Sequence, residues 1–354
     1  MGLIDTGHIV ERHDALLSDT ARTSGGGPLR LFIMLMLASA LLLGIGLAMS
    51  DRLLPLAAEL LAKAEGLSPT HKAIDGALLT TPALSGPLSL VPLSPSDLMQ
   101  QYPPQAGRSL SEGEFDQPAW QRFQRPTAAA TASLPHISVL VTGLGLNKAL
   151  TATAILYLPP AVSLSFSPYA PDLATWIEAA RAQGHEALVD LPMESAAPQD
   201  DPGLDGLMTG LRPEENNARL DRIIDRAPHA LGVTTALGSR FLTDPAALQP
   251  VLTALSARGL AIIEASPDPR MLTRNLAGKA NVPHIKAAFA IDEGEEREAI
   301  LGSLATLSVE AQHNPQSLVV VAPSPLSLAL IAGWCKQLPD QGLTLAPASH
   351  VLAP

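Results

Sequence analysis

Residues Gly184–Glu194 read GHEALVDLPME. Glycine closes a helix at little steric cost, so Gly184 is a natural helix end, and Ala187–Leu191 then forms a short apolar run. Similar runs recur on both sides. Ile137–Val141 and Val162–Phe166 precede it, and Leu231–Thr235, Leu260–Glu264, Ala287–Ile291, Leu318–Ala322 and Leu343–Leu345 follow. Apolar runs of this length, separated by helical stretches, are the pattern expected of parallel strands covered on both faces.

The stretches between the runs carry helix punctuation. Asp244-Pro245 supplies an N-cap and a first-turn proline, Pro213-Glu214-Glu215 puts acids in a first turn, and Gly259 closes a helix as Gly184 does. The pattern predicts six to eight β/α units, compatible with a closed or distorted barrel or with an open doubly wound sheet. A dinucleotide-binding sheet loses ground, because Gly143-Leu144-Gly145-Leu146 has no third glycine at the required spacing.

Upstream of about His136 the alternation stops. Residues 50–135 read as a Pro-rich linker, with Pro82, Pro87, Pro92, Pro95, Pro103, Pro104, Pro118 and Pro126 interrupting regular structure and a short amphipathic helix over Leu53–Ala64. Residues 31–49 (LFIMLMLASALLLGIGLAM) carry no charge over nearly the ~20 residues that span a bilayer, which predicts a transmembrane helix. Residues 1–30 are mostly polar and read as a flexible tail. Arg12, Arg22 and Arg30 precede the span while Arg52 and Lys63 follow it. This slight bias predicts a single-pass protein of a bacterial inner membrane, with residues 136–354 as a periplasmic domain.

Composition narrows the function. The 354 residues are 47% hydrophobic and 16% charged, enough for a large core, and the net charge of -11 without a Lys/Arg run excludes nucleic acid as a natural partner. Cys335 is the single cysteine, so neither an intrachain disulfide nor a cysteine zinc cluster can form. With three Trp and three Tyr, the chain has no material for a long aromatic sugar platform.

Five segments, SFSPYAPDL (Ser165–Leu173), GHEALVDLPME (Gly184–Glu194), GLMTGL (Gly206–Leu211), ALGSRF (Ala236–Phe241) and GLAIIEAS (Gly259–Ser266), resemble the divergent polysaccharide deacetylase family in order and spacing. The resemblance implies a distorted (β/α) barrel of the polysaccharide deacetylase type, with its site at the C-terminal ends of the strands. It also implies a zinc-type divalent metal that polarises an acetyl carbonyl and activates water, while a carboxylate acts as base. In that family the first strand ends in paired aspartates, where this chain has Thr142-Gly143. The histidine before Leu-Pro-Met-Glu is Asp190, and the Asn-Asn-His-Met turn reads Thr234-Thr235-Ala236-Leu237, which puts Ala236 in place of the second histidine. The family's Asp-Ser-Arg is Glu264-Ala265-Ser266, and its late Gly-His-Pro is Val321-Ala322-Pro323.

The resemblance to a family whose ligand set is replaced therefore implies a pseudoenzyme without a cofactor, binding a cell-envelope glycan or an envelope protein. The alternative is an active metal-dependent deacetylase, hydrolysing the C–N bond of N-acetyl groups through relocated ligands. Asp190, Glu264 and Asp292 each close a predicted strand; they either share a rim as oxygen ligands for a hard cation or are separate acids. Glu194 and Arg240 either line a glycan cleft or pair with each other, and Tyr169, in the loop after a strand, is the candidate for sugar stacking. Gly238-Ser239-Arg240 is not a nucleophile elbow.

Overall fold

A computed structural model describes residues 90–103, 116–125, 134–314 and 316–352. The nine described strands are β1 (His136–Leu144), β2 (Ser163–Phe166), β3 (Ala187–Met193), β4 (Gly232–Leu237), β5 (Ala261–Glu264), β6 (His284–Lys286), β7 (Phe289–Ile291), β8 (Gln316–Val321) and β9 (Thr344–Ala346). They are hydrogen-bonded in parallel in the order β6-β5-β4-β3-β2-β1-β8-β7, with β9 added to β1. From β1 to β6 each strand lies beside the next, and β8, flanked by β7, returns to the free side of β1, without the reversal of a doubly wound sheet.

The two ends of this path meet in the covalent chain. Only Ala287 and Ala288 separate β6 from β7; the Ala287 N–H donates to the Glu264 carbonyl (2.8 Å) and the Ala288 N–H to the Leu318 carbonyl (2.8 Å). One extended run thus leaves the β5 edge and joins the β8 edge. The sheet curls round on itself with no ladder between β6 and β7, forming a distorted barrel.

The described α-helices are α1 (Pro95–Gln101) and α2 (Ala119–Arg122), ahead of β1, and α3 (Lys148–Tyr157), α4 (Leu173–Ala182), α5 (Pro213–Asp225), α6 (Pro245–Ala257), α7 (Thr273–Lys279), α8 (Arg297–Ala311) and α9 (Pro325–Gln337) between the strands. Asp244 caps α6 as its sequence suggests, accepting from the Ala246 and Ala247 N–H groups ahead of a first-turn proline.

Because strand side chains alternate, the sheet feeds two cores. Val139, Val141, Leu164, Phe166, Val189, Leu191, Val233 and Ile262 join the cluster shared with the helices. Leu140, Leu188, Ile263, Ile285, Leu318 and Val320 form a second cluster with Ala348, Val351 and Leu352 from the C-terminal turn. This second, enclosed face is the barrel interior, and the alternation puts Ser163, Ser165 and Asp190 on it with Leu188.

All strands run the same way, so one end of the barrel is a floor and the other a mouth. The C-terminal turn seals the floor. Glu186, 1% exposed, accepts from the N–H and hydroxyl of Ser349, from the Ser163 hydroxyl (3.1 Å) and from the Arg125 N–H (2.8 Å). Ser138 donates to the Pro347 carbonyl (3.2 Å), and the Ala348 N–H to Ser163 Oγ (2.9 Å).

Part of the stretch read as a linker packs onto the barrel. Leu98 in α1 is fully buried, and the Val91 N–H donates to Thr153 Oγ1 (3.0 Å). Around α2, the Trp120 N–H donates to the Gly259 carbonyl (3.0 Å), and Arg125 Nη1 to the Gly184 carbonyl (2.6 Å). Arg181 donates to the Phe123 carbonyl (3.1 Å) and lies 4.8 Å above its ring. Gly259, at φ +63, permits the approach, since a Cβ there would lie 2.7 Å from Pro118 Cβ.

The single-pass, inner-membrane and periplasmic localisation is corrected by the structure. Among the described residues no helix is long and apolar enough to cross a membrane. The longest, α8, has 15 residues, about 22 Å of rise against a hydrocarbon core of ~30 Å. The tail and the span Leu31–Met49, together with Leu53–Ala64, lie outside the described residues.

Candidate functional site

The mouth is built around a break in β1. Its register against β2 shifts between Val141 and Leu144, and within this bulge Gly143 takes φ +71, a conformation costly for a residue with a Cβ. The bulge aims the Gly143 N–H at Asp190 Oδ2 (2.9 Å), while Ser165 Oγ donates to Oδ1 (2.5 Å). Asp190 is 5% exposed. Burial pushes its carboxyl up to about 6, against the opposing pull of the Ser165 and Gly143 hydrogen bonds.

Thr234 stands directly across from Asp190 in the β3–β4 ladder. It is fully buried, and its hydroxyl has no hydrogen-bond partner. It also pairs with Ile263 of the enclosed core, which places it on the same face as Asp190. The polar floor of the mouth is therefore Ser165, Asp190 and Thr234, with the Gly143 N–H. Half-buried Thr142 adjoins it, and Pro323 lies near Gly143, 3.9 Å from where a Cβ would be. Ala236 and Ala322 carry no polar side chain here; Ala322 uses its N–H on the Ile291 carbonyl (2.8 Å). Ser165 and Thr234 both lay in segments already singled out, and what marks them is alternation in phase with Asp190.

The three carboxylates considered as a cation site do not converge. Thr234 pairs with Ile263, so the β5 residue on the Asp190 face is Ile263, and Glu264, one residue on, points to the opposite face. There Glu264, 2% exposed, lies 3.4 Å from Lys286 Nζ, which also donates to the Asp268 carbonyl. Its carboxyl is raised by burial, with Thr273 and Lys286 opposing. Neither carboxylate oxygen has a partner within hydrogen-bond geometry, so the Lys286 contact is a loose ion pair. Asp292 is exposed in the turn after β7, its N–H bonded to Glu295 (2.9 Å). Among the described residues, no group of three or more His, Cys, Asp or Glu is placed to hold a metal ion. The groups at the mouth, one carboxylate and hydroxyls with no histidine, cysteine or second carboxylate beside them, do not fit a zinc-type ion.

Glu194 and Arg240 do meet. Glu194 Oε2 accepts from the N–H and hydroxyl of Thr209 (both 2.6 Å), and Oε1 lies 3.5 Å from Arg240 Nη1. The Glu194 carbonyl accepts the N–H groups of Arg240 and Phe241, both at 3.1 Å. Burial would raise the Glu194 carboxyl, but the Thr209 hydrogen bonds and the Arg240 charge hold it below its ordinary value. Glu194 thus ties the loop after β3 to the turn after β4. Arg240 is 62% exposed, so Arg240→Ala is expected to cost at most about 1 kcal/mol. Urea unfolding checks this; a much larger loss would mean that the pair is a main support of the turn.

Tyr169 braces the same loop. Its hydroxyl donates to the Pro202 carbonyl (2.7 Å) and accepts the Asp205 N–H (3.2 Å); burial raises its phenol. The ring covers Gly203, where a Cβ would fall 2.6 Å from the hydroxyl oxygen. With 37% of the residue exposed, Tyr169 joins two mouth loops. Around them Leu146, Leu204 and Leu237 are 60%, 89% and 46% exposed, and Leu237 is held at φ +59. An apolar cavity of about 180 Å³ lies elsewhere, on the helix side of β3 and β4, lined by Phe123, Val189, Ile224, His229 and Val233 among others.

Comparison with known proteins agrees with the fold. Residues 139–352 match the family model of the divergent polysaccharide deacetylases. The chain is 26% identical over 202 residues to the uncharacterized protein YibQ of Escherichia coli (strain K12), covering 56% of this chain and 61% of that protein. It is 22% identical over 189 residues to an uncharacterized protein of Haemophilus influenzae, covering 53% and 66%. The matches thus span about three fifths to two thirds of the relatives' length. The crystal structure of uncharacterized protein ATU2773 from Agrobacterium tumefaciens C58 superposes with a TM-score of 0.64 at 29% identity, covering 69% of this chain and 99% of that one.

Proposed function

This chain belongs to the divergent polysaccharide deacetylase family, and from that premise we propose that it is a glycan-binding member that has given up deacetylation. The observation that carries this reading is the fate of Asp190. At the position where the family places a metal-binding histidine stands a carboxylate that is satisfied from within the chain, by the Gly143 N–H and the Ser165 hydroxyl.

Amide hydrolysis by this route needs a polarised carbonyl and a poised base. In the family a bound metal supplies the polarisation. Asp190, raised by burial to about 6, has the affinity of a proton acceptor. A base alone meets one requirement of the two, and Glu264 on the opposite face supports no relocated metal set. The barrel and its mouth persist, with Glu194, Arg240 and Tyr169 holding the surrounding loops.

The test uses the whole chain with N-acetylglucosamine oligomers in the presence of zinc, cobalt or nickel. The expected result is no acetate above a buffer blank and no stoichiometric metal, with oligosaccharide binding visible by calorimetry. Metal-dependent acetate release that disappears in Asp190→Ala would overturn the reading.

A further inference from the structure

The floor of the mouth is an unfinished hydrogen-bond site. A carboxylate offers about four lone-pair positions, and Asp190 has one hydrogen bond on each oxygen, from Ser165 and Gly143. Beside it the fully buried Thr234 hydroxyl has no partner, an arrangement native proteins rarely leave unfilled. Both groups face the barrel interior, on adjacent strands and in register.

The chemistry of what would complete this site follows from what is present and what is missing. An acetamido group brings one N–H for the carboxylate and a carbonyl that can accept from the Thr234 hydroxyl, but it brings no charge to the buried carboxylate. The metal donors are absent and the Gly143 N–H is already directed at Asp190. An ammonium group brings positive charge and three donors, and accepts nothing. A carboxylate with spare lone pairs next to an unpartnered hydroxyl oxygen is complementary to it. We propose that the mouth selects the free ammonium of a de-N-acetylated amino sugar over the N-acetylated sugar. This rests on the glycan-binding reading above and specifies its ligand: the site recognises the product of the chemistry that its own residues no longer support.

The experiment is calorimetric titration of the whole chain at neutral pH and physiological salt, with a glucosamine oligomer and an N-acetylglucosamine oligomer of equal length. The amine form is expected to bind at least about tenfold more tightly, the size of one charge-assisted contact. Asp190→Asn should erase that preference, with circular dichroism and melting showing the variant folded, and Thr234→Val should reduce it. The net charge of -11 attracts any cationic oligomer, so a preference that survives Asp190→Asn is bulk electrostatics and overturns the proposal. Equal binding of the two oligomers, or tighter binding of the acetylated one, overturns it while the glycan-binding reading stands. Binding of neither overturns both.

Discussion

Asp190→Asn is expected to stabilise the protein at neutral pH by about 3 kcal/mol and to change how its stability depends on pH. In the folded chain the Asp190 carboxyl holds its proton up to about pH 6, whereas the ordinary value is 3.8. Between these values the folded state binds more protons than the unfolded one, so stability falls as pH rises. The favourable contribution is fully present below about pH 4 and is lost as pH passes through about 6. An asparagine does not ionise, and its amide can accept the Gly143 N–H through oxygen while donating to Ser165 Oγ through nitrogen. Glu186 and Glu264 are also raised by burial and add slopes of the same sign to both proteins, which makes the difference between the two curves the useful quantity. Chemical denaturation from pH 4 to 8 reads it. Parallel curves for the two proteins would show that Asp190 is not held protonated by burial.

The second large effect is expected at the other end of the barrel. Glu186→Ala should destabilise the fold by about 3–5 kcal/mol, because it leaves buried donors without an acceptor, each worth about 1–3 kcal/mol. The donors come from separate parts of the chain: Ser163 on β2, Ser349 in the C-terminal turn and the Arg125 N–H at the end of the α2 segment. Losing them together should loosen both the turn and the segment. Urea unfolding should show a lower midpoint, and trypsin should cut after Arg122 sooner than in the unmodified chain, the Arg125–Pro126 bond being resistant. A near-neutral change with unaltered proteolysis would mean that the floor is held by the apolar contacts of Ala348, Val351 and Leu352 alone. Glu186→Gln, which keeps one carbonyl oxygen, should fall between the two.

The sequence by itself determined the strands and helices that carry the fold. A parallel strand covered on both faces is apolar along most of its length, so each of the eight runs overlaps a strand, and Asp244-Pro245 starts α6 where it should. The family resemblance also implied which metal-ligand positions carry other residues, an inference from residue identity that uses no contact in the fold. His284–Lys286 escaped it because three residues, two of them polar, make no apolar run; β6 exists because the chain crosses there from the β5 edge to the β8 edge.

What only the tertiary structure decided is which residues face one another. Alternation fixes the faces within one strand, but the phase between strands is set by ladder register, and an offset of one residue reverses the face. That is why Asp190 meets Thr234, why Glu264 turns away to Lys286, and why Asp190 and Glu264, each closing an apolar run in the sequence, never share a rim. The Gly143 bulge that reaches Asp190, and the packing of Leu98 and Phe123 onto the barrel, join residues dozens of positions apart. Such contacts are chosen by the folded surface they land on, and local sequence carries no signal of that surface.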